Sequence, residues 1–175
     1  MARFSKEYKI KNFFKPKDLI SLANAGFGFL AILSMVHINL EYAAVFLVCA
    51  VFMDIIDGKV ARRVGPTEYG KAIDIADTVS FGVAPALFIT VWLKPNFSTF
   101  GLIVYASAFL LMMCGLVRLA RFLVTDTKES IGLPITFNGI IFPALWFFNT
   151  PEIIVVIITL IVCSLMISSI RLPKV

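Results

Sequence analysis

Asp54-Ile-Ile-Asp57-Gly58-Lys-Val-Ala61-Arg62, followed by Gly70-Lys-Ala-Ile-Asp74-Ile-Ala-Asp77, puts four aspartates within twenty-four residues of a chain that is 59% hydrophobic. An ionised carboxylate at the centre of a membrane helix costs about 2.5–3.5 kcal/mol, so four near the midplane would cost on the order of 10 kcal/mol. At about 6 Å and an effective dielectric of about 20, two of them repel by about 3 kcal/mol. Such a cluster is tolerable beside a water-filled cavity with cations to neutralise it. Hard oxygen donors in this number suit Mg²⁺, Mn²⁺ or Ca²⁺ and do not suit zinc. Two such ions, bridged by shared carboxylates, can clamp a pyrophosphate while an attacking oxygen is activated. The expected chemistry is that of a divalent-metal site at the membrane surface.

Asp54 and Asp57 are three residues apart, as are Asp74 and Asp77, so each pair shares one helix face. A short connection between the two segments favours neighbouring antiparallel helices on which the pairs converge. Gly58 and Ala61 keep the same face low, so that a nucleotide or another backbone can approach, and Gly70 lies one turn before Asp74. Arg62 can pair with phosphate oxygens as a planar fork, with Lys59 adding charge. Packing between helices through small residues would also account for Gly58 and Ala61.

The elements that must carry these residues are six apolar stretches, about 18–38, 41–62, 72–93, 99–122, 132–149 and 152–171, in a chain of mean hydropathy +0.93. A helix of ~20 residues crosses the ~30 Å hydrocarbon core, so each stretch is long enough to span. The expected fold is an all-α integral membrane protein: an amphipathic juxtamembrane segment over 1–16 and one six-helix catalytic domain over 17–175. Of the 16 Lys and Arg residues, 15 fall before the first stretch, between the second and third, between the fourth and fifth, or after the last, and only Lys94 falls opposite. The positive-inside rule then puts both termini and the aspartate loop in the cytoplasm of a multi-pass cell-membrane protein. The net charge of +5 is read as an orientation signal and not as a nucleic-acid footprint.

Cys49, Cys114 and Cys163 form no CxxC pair and read as small buried packing residues. His37, the only histidine, falls at the outer end of the first stretch, which excludes a histidine-based triad at the aspartates. Phe4, Tyr8, Ile10, Phe13 and Phe14 alternate with lysines, as in a helix lying in the headgroup plane, although a disordered basic tail has the same composition. No cleavable signal peptide is expected.

The string Asp54-x2-Asp57-Gly58-x2-Ala61-Arg62, then Gly70-x3-Asp74 and Asp77, resembles the signature of the CDP-alcohol phosphotransferases. The resemblance implies a six-helix membrane enzyme that moves a phosphatidyl group from a CDP-lipid to an alcohol and releases CMP, and it implies a homodimer. Ser21-Leu-Ala-Asn24-x3-Gly28 looks like the family's first-helix element near the nucleotide, which adds Asn24 and Gly28 to Gly58, Ala61, Arg62 and Gly70 as CDP-lipid-binding residues. Two features depart from the family. Seven residues, Arg63 to Tyr69, separate Arg62 from Gly70 where eight or more are usual, and two separate Asp74 from Asp77 where three are usual. On an ideal helix a spacing of four leaves side chains about 40° apart and a spacing of three about 60°, so both share a face.

Thr78-Val-Ser80-Phe-Gly82-Val-Ala-Pro85-Ala86, Arg118-Leu-Ala-Arg121-Phe122 and Ile131-Gly132-Leu-Pro134 resemble the phosphatidylserine synthase branch, including its archaeal relatives that use ether lipids. That resemblance implies CDP-diacylglycerol or CDP-archaeol as donor and L-serine as acceptor. Serine brings a carboxylate to its pocket, and Arg118 and Arg121, three apart, can face one cavity and bind it. Anchoring both at the headgroups explains them equally well. Ser80 could line the same pocket, while Asp126 and Lys128 read as solvated loop charges.

By the same resemblance Asp77 is the general base, and Asp54, Asp57, Asp74 and Asp77 hold two divalent cations. Another acceptor, such as inositol phosphate or glycerol phosphate, would require more phosphate-binding cations. A divalent-cation carrier would spread its carboxylates through the membrane depth. A structural membrane protein leaves the four aspartates unexplained.

Overall fold

Proline fits the first turn of a helix, where its missing N–H would have no partner, and Pro16 is the first helical residue of α1 (Pro16–Val36). A computed structural model describes residues 16–64, 76–94, 98–124 and 130–172. After α1 the chain turns through 37–39, with Ile38 at φ 58°, and enters α2 (Leu40–Val64). Asn39 Oδ1 accepts the Tyr42 N–H at 3.3 Å and caps the new helix. Ala43, Leu47, Ala50 and Val51 recur at helical spacing and are all buried. This low face lets α1 and α2 pack as the most extensive helix pair, with Phe27 and Phe46 stacked at 6.3 Å.

The third helical segment is not uniform. Residues 76–77 are helical, Thr78–Val83 form a π-helical turn, and α3 (Ala84–Leu93) follows directly. The Ala84 N–H bonds Val79 O, five residues back. Pro85 has no N–H to donate to the Phe81 carbonyl one α-turn earlier, and that carbonyl accepts Asn138 Nδ2 at 2.8 Å instead. α3 stops at Lys94, whose left-handed backbone (φ 41°) closes the last turn on Thr90 O.

Ser98 Oγ accepts the Gly101 N–H at 3.2 Å at the start of α4 (Thr99–Val124). Beyond it, β1 (Ser130–Ile131) pairs antiparallel with β2 (Arg171–Leu172), Ser130 opposite Leu172. Gly132 is left-handed at φ 77°, and a Cβ there would stand 2.4 Å from Met166 O, so the close approach requires glycine. A 3₁₀ turn, Ile135–Phe137, leads into α5 (Asn138–Phe147), which carries Pro143 in its interior. α6 (Glu152–Ile167) packs on α4. Phe81, Phe88, Phe142, Leu111 and Met166 are fully buried at the centre, with Phe88 edge-on to Trp146 at 6.2 Å.

The outward faces are also apolar. Phe29, Phe52, Leu102, Phe109, Ile157 and Phe147 are each more than half exposed. A soluble protein does not carry apolar surface on every helix, so this is the surface of a membrane protein. Among the described residues, two helices suffice by length and composition to cross a bilayer, over Leu19–Val36 and Thr99–Arg121. The apolar helices at Thr78–Leu93, Ile135–Phe147 and Glu152–Ile167 are shorter: the fifth stretch turns helical only after Pro134, and the sixth stops at Ile167. α2 has the length but ends in charged residues. Cys114 and Cys163 are buried and share a hydrogen bond, Cys49 is half-buried, and His37 is exposed at the end of α1. The N-terminal segment 1–15 lies outside the described residues.

Candidate active site

Each of the three signature aspartates among the described residues is held by a polar side chain of another element. Asp57, on α2, accepts Ser21 Oγ from α1 at Oδ2, 2.6 Å away. Asp77, at the head of the π-turn, accepts Asn24 Nδ2 from α1 at Oδ1. Asp54, one turn before Asp57, accepts Thr136 Oγ1 from the 3₁₀ turn at Oδ2, 2.9 Å away. Ser21 and Asn24 are three apart and face the carboxylates together, while Asp54 and Asp57 are held by different neighbours, the 3₁₀ turn and α1.

Arg118, 8% exposed on α4, is within electrostatic reach of both Asp54 and Asp77, and Asp54 feels Asp57 as well. The site is therefore a partly buried acidic centre with one guanidinium set into it. Charge of one sign, unevenly balanced, defines what it can attract.

The oxygens suit a hard cation. Asp57 Oδ1 and Asn24 Oδ1 are buried and accept no hydrogen bond from the described residues, although each has lone pairs to fill. No group of three or more His, Cys, Asp and Glu side chains poised for a metal occurs among the described residues. Asp74 and Gly70 lie outside them, as do the side chains of Ala61 and Arg62. Gly58 is exposed, with no atom within 4 Å of where a Cβ would stand, so its face is open to an approaching molecule.

Other expected residues turn inward. Gly28 backs onto the π-turn: a Cβ there would meet Ser80 Oγ at 2.3 Å and Ser80 Cα at 2.8 Å. Ser80 is fully buried and donates to Asn24 O at 3.2 Å, so its hydroxyl joins helices and does not face a pocket. Arg121 Nη1 donates to Ile167 O at 3.2 Å and caps the last turn of α6, away from its expected companion Arg118. Ser21, Thr136 and Asn138 were not among the expected site residues. Ser21 opened the string that resembles the family's first-helix element but was assigned no role there. Thr136 and Asn138 were marked only by being polar within an apolar stretch.

The family model described as CDP-alcohol phosphatidyltransferase matches residues 17–170. The archaetidylserine synthase of Methanothermobacter thermautotrophicus is 35% identical over 176 residues, covering 95% of this chain and 73% of the relative. The CDP-diacylglycerol–serine O-phosphatidyltransferase of Methanocaldococcus jannaschii is 35% identical over 169 residues, 95% of this chain and 78% of its own. The enzyme of the same name from Bacillus subtilis is 32% identical over 162 residues, 89% and 88% of the two chains. With the match running through both acidic helices and the turn that carries Thr136, the chain belongs to the CDP-alcohol phosphatidyltransferase family.

Proposed function

We propose that this protein transfers a phosphatidyl group, or its archaeal ether equivalent, from a CDP-lipid to the hydroxyl of L-serine and releases CMP. The observation that carries the reading is the meeting of Asp54, Asp57 and Asp77 from two helical segments beside the buried Arg118, in a membrane protein. The serine-transferring activities in the names of its relatives support the choice of acceptor. We read the chain as six crossings with termini and site on the cytoplasmic side, a reading supported by the 15-to-1 division of basic residues.

Asp54, Asp57, Asp74 and Asp77 would together hold two divalent ions, Mg²⁺ or Mn²⁺, which supply positive charge to the pyrophosphate. The lipid tails of the donor stay in the bilayer, and its nucleotide passes over the low face at Gly58. Asn24 engages Asp77 Oδ1 and orients the carboxylate, which takes the serine hydroxyl proton. The serine oxygen bonds to the phosphorus bearing the lipid as the bond to the bridging oxygen breaks, and CMP departs. Arg62 neutralises phosphate charge. Arg118 receives the serine carboxylate; Arg121, engaged with Ile167 O, is assigned no contact with it.

Purified protein incubated with a CDP-lipid, Mn²⁺ and a panel of alcohols should release CMP with serine. Asp77→Asn should lower that release at least about 100-fold, the lower end of what a general base contributes. CMP release with inositol phosphate or glycerol phosphate in place of serine would reassign the acceptor. Cation uptake into vesicles without CMP release from any alcohol would make the protein a carrier.

A further inference from the structure

Five residues, 134–138, meet three other elements. Ile135 is 1% exposed and fills the space left by Gly115 on α4, where a Cβ would come within 2.6 Å of the Ile135 Cδ1. Asn138 holds the Phe81 carbonyl of the π-turn. Between these anchors, Thr136 Oγ1 donates to Asp54 Oδ2 at 2.9 Å. Just upstream, the Leu133 N–H bonds Leu165 O at 3.1 Å, which fastens the approach to the turn onto α6. The turn is thus fixed before and after Thr136, and a β-branched side chain has few rotamers with which to follow a moving partner.

An aspartate on a helix can rotate its carboxyl group freely unless a donor commits one oxygen. We propose that Thr136 is a positioning residue for Asp54, occupying Oδ2 so that Oδ1 is presented to a divalent cation. The assignment rests on the metal-assisted reading above. Hydrogen-bond partners of metal ligands orient the ligand and raise its affinity, and losing one costs about 10–100-fold in metal binding. Thr136 comes from the 3₁₀ turn and Ser21 from α1, so the two aspartates of α2 are steadied by different elements.

The test uses the full chain in detergent, with Mn²⁺ as the added ligand and thermal unfolding as the readout. Thr136→Val keeps the shape and removes the hydroxyl; Thr136→Ser keeps the hydroxyl. The valine variant should need about ten-fold more Mn²⁺ for half-maximal stabilisation, and the serine variant should match the parent protein. Serine KM at saturating Mn²⁺ should be unchanged in both. An unchanged Mn²⁺ midpoint in Thr136→Val, or an equal displacement in Thr136→Ser, overturns the assignment alone. A parent protein that Mn²⁺ does not stabilise overturns the metal reading and this assignment together. If the valine variant does not fold, Thr136→Ala replaces it, with the same two outcomes.

Discussion

Asp57 is half-buried, with one oxygen on Ser21 and the other shielded without a donor among the described residues. A hydrogen bond to a carboxylate contributes about 1.5–3 kcal/mol, so Ser21→Ala should lower kcat/KM for CMP release about ten-fold or more. Steady-state kinetics on the purified variant measures this, and Asp57 should lose Mn²⁺ affinity in parallel. Arg118 makes a separate claim. Arg118→Ala should raise serine KM about ten-fold or more while leaving the CDP-lipid KM near its original value, because a bidentate carboxylate contact is lost. A fall confined to kcat would place Arg118 in the service of Asp77 instead. Asp54, Asp57, Asp77 and Arg118 were legible in the sequence because charge inside an apolar stretch is costly and therefore informative. Thr136 was not, since a hydroxyl is tolerated in a membrane helix and its partner Asp54 is 82 residues away.

Among the elements, the π-turn has the largest effect on the site. Seen from α3, whose position is fixed by the core around Phe88, a wide turn rotates everything that precedes it. The direction of Asp77 is therefore set by this turn as well as by its distance from Asp74. Pro85 was readable as an interruption, but the donor that replaces its missing N–H is Asn138, and no local pattern announces so distant a partner. Asn138→Leu should leave the Phe81 carbonyl unpaired and destabilise the protein by about 1–3 kcal/mol, measured as a fall in melting temperature. Gly28→Ala should cost about 1–3 kcal/mol by forcing α1 away from Ser80. Adding Ser80→Ala should restore only part of it, because the Cβ at 28 would still stand 2.8 Å from the Ser80 Cα.

For the whole molecule, the 15-to-1 division of basic residues sets the orientation to be tested. A cysteine introduced at Lys94 should be labelled in intact cells by a membrane-impermeant maleimide, whereas one at Lys59 should be labelled only after lysis. The native background is low, since Cys114 and Cys163 are buried and Cys49 half-buried. The helical stretches were legible as apolar runs, but their unequal lengths depended on where prolines and tight turns fall.

The pairing of β1 with β2 has a consequence for biosynthesis. Residues 170–172 bond back to 130–132, the strand that leads into the turn bearing Thr136. A ribosome delivers the aspartates early, yet the strand pair that precedes this turn forms only after translation has passed residue 172. The last tie on the chain leading to Thr136 is therefore added late in synthesis, after both acidic segments have been made.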